Sequence, residues 1–299
     1  MIFVQGELIM YWKYYNVSEE VKIRKIYSFF YNVRDAGFEC QGETHDFWEC
    51  VYVIEGNVSV TADDQIYNLK SNDIIFHRPM ELHKYHVVSD APARLLIFSF
   101  SLEGKQSDFF HKKVFHLTGK QCQLLSDLLE YAQCSMTEES TKLDPYNRYL
   151  SAFNTVSTYS QTVGIYLQLL FLSIIENNAI INNSSSEDAL IFKKAVQYMK
   201  KNISQTLPIT FIAKEVSVSL SRLKRIFNKY AGISVHRYFL LLKLNKVKEL
   251  MEQGEPLNNI ATQLGFSSQA YLSTAYKREF GVSPSGNAKS PPYKGYDKG

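Results

Sequence analysis

The sequence predicts an α+β chain: an antiparallel β-barrel toward the N-terminus, a helical segment in the middle, and an all-helical unit at the C-terminus. Three observations carry this. Between residues 49 and 100 apolar and polar residues alternate, and turn signals recur at Glu55-Gly56-Asn57, Asp63-Asp64 and Ser71-Asn72-Asp73, as in short antiparallel strands. From about residue 117 the apolar period becomes that of helices. Beyond residue 188 one helical pattern occurs twice, offset by 48 to 49 residues.

At 299 residues the chain exceeds the usual size of one domain, which predicts two, each large enough for its own core. A composition 45% hydrophobic and 21% charged excludes disorder for the bulk of the chain; 20 Tyr and 19 Phe supply rings for cores and for stacking on ligands. The net charge of +3 divides unevenly. Residues 1–187 hold 15 Lys/Arg against 23 Asp/Glu, and residues 188–299 hold 18 against 7. An acidic front (−8) joined to a basic back (+11) predicts that only the back meets a polyanion. Cys40, Cys50, Cys122 and Cys134 show no CxxC spacing, so reduced structural thiols are expected. The first residues, MIFVQGELIMYWKYY, lack the basic start of a signal peptide, and the most apolar stretch, 163–175, is too short to span a bilayer. The expectation is a cytoplasmic chain with no membrane partner.

The barrel is expected within 1–116, with 23–38 as an arm or an extra strand. Over 117–181, Leu124, Leu125, Leu128, Leu129 and Ala132 mark one amphipathic helix. Val163, Tyr166, Leu167, Leu170, Phe171 and Ile174 mark a second, with a polar loop around 137–144 between them. The second stripe is apolar enough to pack on the barrel, on a twin chain, or on both, and it is the expected seam of a homodimer. Residues 182–188, NNSSSED, read as a flexible linker, 189–284 as the helical unit, and the Gly- and Pro-bearing 285–299 as a disordered tail.

In the repeat, Ile212-Ala213 pairs with Ile260-Ala261, Val216 with Leu264, Leu223 with Leu272, Phe227 with Tyr276, Gly232 with Gly281 and Ser234 with Ser283. Each copy reads as a short helix, a tight turn and a second helix closed by Gly: 210–215 and 219–230, then 257–263 and 268–280. Ala213 and Ala261 permit close helix approach, Gly265 suits a left-handed turn, and Ser219 and Ser267 or Ser268 suit N-caps. A longer helix over 235–253 separates the copies. Two second helices on one chain must meet the DNA major groove roughly 34 Å apart, which a rigid spacer provides. The first of them keeps Leu223, Ile226 and Phe227 inward and leaves Ser221, Arg222, Lys224, Arg225, Asn228 and Lys229 outward. Arg and Lys suit guanine edges or phosphate, and Asn suits adenine or backbone.

Residues 190–284 resemble the AraC/XylS family of bacterial regulators, most specifically in IATQLGFSSQAYLSTAYKREFGVSP. The resemblance implies two helix-turn-helix subdomains on a shared long helix, each placing one recognition helix in the major groove of double-stranded DNA. Where that family usually carries Arg and Phe, this chain has Thr274 and Tyr276, and it lacks the Tyr-Arg that follows Ser-Pro. The second motif is therefore expected to position through Ser268, Gln269, Ser273, Thr274 and Lys277, and specificity to rest on Arg222, Lys224 and Arg225.

The run THDFWECVYVIEGNVSVTADDQIYNLKSNDIIFHRPMELHKYHV is similar to the cupin-like sensor domain found ahead of such units. It makes the expected fold a cupin-like β-barrel with a helical dimerisation segment, followed by the tandem helix-turn-helix domain. His45 and Glu49 are expected in register on one strand face, with His83 as a third polar group and Phe47 and Tyr85 also facing inward. Three N/O donors suit a first-row metal, with Glu43 a fourth, or they serve as hydrogen-bonders in a metal-free pocket, the leading reading; no metal or other cofactor is expected. The resemblance implies sugars or other small metabolites as effectors. The expected function is an effector-controlled, non-enzymatic transcription regulator, with RNA polymerase as a candidate partner. The alternatives are an effector-independent regulator whose barrel only dimerises, and a metal-dependent cupin enzyme fused to a DNA-binding unit.

Overall fold

The computed structural model describes residues 2–4, 7–9, 15–177 and 186–284. The expected tail and most of the expected linker lie outside the described residues. Ser186 of that linker caps a helix that Glu187 and Asp188 open, where acidic side chains suit the positive helix end.

Strands β1 (Ile2–Val4) and β2 (Glu7–Ile9) form an antiparallel pair. They are followed by β3 (Lys22–Arg34), β4 (Trp48–Glu55), β5 (Asn57–Ala62), β6 (Gln65–Lys70), β7 (Asp73–His77), β8 (His83–Val87), β9 (Ala93–Glu103) and β10 (Val114–His116). The segment 23–38 is thus largely an extra strand rather than an arm. The expected turn signals are the turns observed: Asp63 and Asn72 adopt positive φ, and Gly56 (φ +96°) carries the chain from β4 to β5.

The expected barrel is instead two antiparallel sheets, ordered β10-β7-β4-β9-β3 and β6-β5-β8, which do not close on each other. They share one apolar core, in which Val51, Val53, Ile75 and Ile97 meet Val58, Val60 and Leu69. The chain at 37–43 runs beside β8 through isolated bridges, Glu39 to His86 and Glu43 to His83, rather than through a continuous ladder that would seal the seam. The other face of the large sheet is dry as well. Phe76, Phe98 and Phe100 there pack on Phe171, with ring centroids 5.0–6.4 Å away.

Phe171 belongs to α3 (Tyr159–Glu176), which packs beside α1 (Gly119–Cys134) and α2 (Pro145–Thr155). Helix α2 was not anticipated; Asp144 caps it and accepts from the Tyr146 and Asn147 amides. Of the stripe expected as a dimer seam, Val163, Leu167, Leu170, Phe171 and Ile174 are buried within the chain itself, with Tyr166 half-buried. The seam is internal packing, because the large sheet's aromatic face needs a cover. The apolar residues α3 does expose are Ile165, Leu169 and Leu172.

The helical part comprises α4 (Glu187–Lys201), α5 (Ile209–Glu215), α6 (Leu220–Ala231), α7 (Val235–Glu252), α8 (Leu257–Gln263) and α9 (Gln269–Phe280). The repeat is visible in matching starts, caps and stops. Pro208 and Pro256 precede the short helices, Ser219 and Ser268 cap α6 and α9, and Gly232 and Gly281 end them in left-handed geometry. Gly265 takes the expected left-handed turn (φ +64°), and Ser217 takes it in the first copy (φ +56°). Helix α7 serves two cores, giving Val235, Tyr238, Phe239 and Leu241 to the first motif and Leu240, Leu244, Val247 and Leu250 to the second. Its buried Lys243 donates to the carbonyls of Gln205 (2.8 Å) and Leu264 (2.7 Å), and burial lowers its pKa. Among the described residues no single helix is long and apolar enough to cross a membrane.

Candidate functional site

Strand register builds a polar row into the apolar space between the sheets. Ser28 pairs with Ser99, Ser99 with Glu49, and Glu49 with His77. Period-two alternation turns all four to the same side. Ser28 Oγ lies 2.7 Å from Ser99 Oγ, and Ser99 donates to Glu49 Oε2 at 3.0 Å. His45 and His83 approach the same carboxylate from elsewhere in the chain, with Nε2 at 3.6 Å from Oε2 and 3.3 Å from Oε1. His45 stands in the loop before β4, not on the strand face as expected, yet still reaches Glu49. His45, Glu49 and His83 are all nine-tenths or more buried.

Both rings are pinned. His45 Nδ1 lies 2.9 Å from the Phe47 carbonyl and His83 Nδ1 lies 3.1 Å from that of Glu81. Phe47 stacks on His45 (4.0 Å) and Tyr27 on Phe47 (4.4 Å), while His77 stacks on His83 (4.3 Å). Burial alone would raise the Glu49 pKa, but His45 and His83 hold it well below the ordinary carboxylate value. Burial opposes charge on His83 too, and Glu49 overcomes it, raising that pKa to about 9. His77, buried and beside His83, is pushed down to about 4. Burial and the Glu49 charge push Glu43 up to about 8. The structure thus unites four of the five expected pocket residues, His45, Phe47, Glu49 and His83. Tyr85 sits one pleat further, beside Phe38 (5.8 Å). The sequence reading missed Ser28, Ser99 and Glu81, which show no local motif; only strand register aligns them.

The segment from Arg78 to Lys84 joins this cluster to the helical part. Glu81 turns inward to His77 Nδ1 (3.0 Å) and to Lys113. Its neighbours turn the other way: Met80 packs against the second motif's core and Leu82 belongs to the first's. Lys84, 4% exposed, donates to the Asn228 (3.2 Å) and Lys229 (2.9 Å) carbonyls in the last turn of α6 and to Glu39 (2.9 Å). Met80, at φ +64°, donates its amide to the His45 carbonyl and accepts from Asn245 of α7, both at 2.6 Å. Tyr238 donates to the Asp63 carbonyl (3.1 Å), and Lys248 pairs with Asp46 (3.6 Å). The contact is tight enough that a Cβ on Gly42 would fall 1.9 Å from the Ala231 oxygen.

On the recognition helices, Ser221, Lys224, Arg225, Asn228 and Lys229 are exposed on α6, as are Gln269, Thr274 and Lys277 on α9, with Ser273 half-exposed. Ser268 is occupied as the α9 cap, accepting from the Tyr271 amide at 3.0 Å. Arg222 departs from expectation: its guanidinium pairs with Asp188 (2.9 Å) and Glu187 (3.1 Å) at the start of α4.

The profile described as an AraC-like ligand binding domain matches residues 25–133, and that of a helix-turn-helix domain matches residues 212–289. Similar proteins include an uncharacterized HTH-type transcriptional regulator, YfiF, of Bacillus subtilis strain 168, 25% identical over 80% of this chain and 76% of that protein. The HTH-type transcriptional activator RhaS of Escherichia fergusonii is 22% identical over 80% of this chain and 84% of its own length. Among solved structures, ToxT from Vibrio cholerae O395 aligns over 86% of this chain and 95% of its own at 15% identity, with a TM-score of 0.36. One profile falling on the sheets and the other on the repeat, the chain belongs to the AraC-type helix-turn-helix transcriptional regulators and carries an AraC-like ligand-binding domain.

Proposed function

We propose that the chain is a non-enzymatic, cytoplasmic regulator that binds specific double-stranded DNA as a homodimer and changes affinity when a small polar effector occupies the cluster at His45, Phe47, Glu49, His83 and Tyr85. The observation that carries this is the segment from Met80 to Lys84. Alternate side chains belong to the polar cluster and to the two motif cores, so a ligand that moves His83 also moves Leu82 and Lys84. A cluster of two imidazoles, a carboxylate and aromatic rings suits an effector with hydroxyls or a carboxylate, such as a sugar derivative.

Base reading is assigned to Lys224 and Arg225, with Ser221, Asn228 and Lys229 on the backbone. Ser268, Gln269, Ser273, Thr274 and Lys277 position the second motif. Arg222, tied to Asp188, is assigned to orienting α6 on α4. For the dimer, the exposed stripe of Ile165, Leu169 and Leu172, spaced i, i+4, i+7, supports a two-fold contact with a second copy. RNA polymerase is the further partner proposed for the DNA-bound form. The test is full-length protein titrated onto DNA from a randomised pool at several salt concentrations. Selection of one sequence, with a log–log salt slope on the order of −4 to −6, is expected for about five to seven neutralised phosphates. Failure to retain DNA at low salt would refute the proposal.

A further inference from the structure

The chemistry of the His45–Glu49–His83 cluster goes further than an expectation of a metal-free pocket. Each Nδ1 faces a backbone carbonyl, which only accepts, so each Nδ1 carries the ring proton. In a neutral imidazole the Nε2 is then a bare lone pair. Both Nε2 atoms point at the Glu49 carboxylate, and neither has a hydrogen-bond partner. Two lone pairs converging on an anion in a dry interior repel one another unless a positive charge lies among them. Two imidazole nitrogens and one carboxylate, buried and converging at 3.6 and 3.3 Å, make a donor set that one shared cation would satisfy.

We propose that His45, Glu49 and His83 form a three-donor site for a divalent first-row transition cation; the inference rests on the reading of this cluster as the regulator's ligand site. The donor atoms lie within 4.8 Å of one another. Bonds of about 2.1 Å require donors roughly 3.0–3.5 Å apart. The two nitrogen-to-oxygen spacings, 3.6 and 3.3 Å, stand at or beside that range already. Two imidazoles with one carboxylate select a transition cation over Mg2+ or Ca2+, which take oxygen donors. The surroundings are those of a metal centre: both Nδ1–H groups are anchored, and Ser99, itself held by Ser28, fixes the carboxylate. Three protein donors leave one coordination position open to a water or an effector oxygen. Each histidine is followed in sequence by a residue that grips the helical part, Asp46 on Lys248 and Lys84 on α6, so closing the donors on a cation would be felt by both motifs.

The test uses full-length protein stripped with chelator, then titrated separately with Zn2+ and with Co2+ as a spectroscopic probe. One cation per chain is expected, with visible Co2+ absorption bands of mixed nitrogen–oxygen ligation and a Tm that rises with added cation. Glu49→Gln, which keeps the shape, should weaken binding by on the order of 100-fold or more. Cys134→Ser, which removes an exposed thiol, should leave binding unchanged. Should Glu49→Gln fail to fold, His45→Gln carries the same test. No stoichiometric binding at about tenfold cation excess, binding indifferent to Glu49→Gln and His45→Gln, or binding lost with Cys134→Ser would each overturn the site. DNA affinity of the stripped protein is measured in parallel. DNA binding without cation binding overturns the cation site alone, whereas absence of DNA binding by every form overturns the regulator reading itself.

Discussion

Lys84→Met replaces the ammonium at the domain contact with an apolar chain of similar length. Wild-type Lys84 satisfies two carbonyls at the end of α6, and its pair with Glu39 is secondary because that carboxylate is 49% exposed. A charged hydrogen bond contributes about 1.5–3 kcal/mol, and the exposed pair adds about 1 kcal/mol at most. The two carbonyls lose a charged donor, so the contact between the parts should weaken by about 3–5 kcal/mol. At 1.4 kcal/mol per factor of ten, the lower figure makes local opening roughly 100-fold more frequent. Hydrogen exchange reads this directly. The Gly232 amide, which donates to the Asn228 carbonyl at 3.1 Å, should exchange on the order of 100-fold faster, while amides in β4 and β9 stay protected. A change of less than about threefold at Gly232 would refute the reasoning, because Lys84 would then not be holding the contact.

Gly42→Ala should open the same contact by steric means, accelerating exchange at Gly232 without lowering the melting temperature of the sheets; unchanged exchange would contradict the backbone approach. Leu167→Glu or Leu170→Glu should unfold the sheet part, costing about 3–5 kcal/mol, whereas Leu169→Glu should leave the Tm intact and give monomers by light scattering. Ser217→Gly should add about 0.5–1 kcal/mol of stability by relieving a left-handed non-glycine, while Gly265→Ala should lose stability, since its Cβ would fall 2.4 Å from the Ser204 oxygen; thermal melts decide both. Arg225→Ala should cost about 1–3 kcal/mol on the best DNA site and relax one base position, Lys277→Ala should only flatten the salt slope by about one unit, and Thr274→Arg should sharpen the second half-site. Equal information in both half-sites selected by the unmodified chain would overturn this asymmetry.

The helical part was legible almost to the residue, because a helix-turn-helix is built from short-range signals: Ser219 and Ser268 as caps, Gly232 and Gly281 as stops, and an apolar period between them. In the front half, alternation placed the strands and the resemblance pointed to the cluster residues; His45, Phe47, Glu49 and His83 share a neighbourhood, although His45 stands in a loop rather than on the strand face. What escaped was what depends on pairing between distant segments. Closure into a barrel is a question of hydrogen bonding between edges, on which period is silent. Burial of the Leu167 stripe depended on the aromatic face of a sheet more than sixty residues away. Arg222 looked free because its partners, Glu187 and Asp188, fell in a segment read as linker. Helix α2 was missed because its short amphipathic pattern follows a polar loop, although Asp144-Pro145 is a start signal in retrospect.

Met80 and Leu82 have a consequence for modularity. With Ile66 of β6 they make three side chains that the DNA-binding part borrows from the other domain to complete its apolar surfaces, and burying one leucine contributes about 1.5–3 kcal/mol. A fragment cut at the linker would carry two bare patches, one on each motif. A chimaera that grafts these helices onto another domain would inherit the same gaps unless the graft supplied apolar side chains at all three matching positions. The ligand-binding-like domain and the helix-turn-helix part of this chain are thus interlocking, and transplanting either calls for the segment between them to travel too.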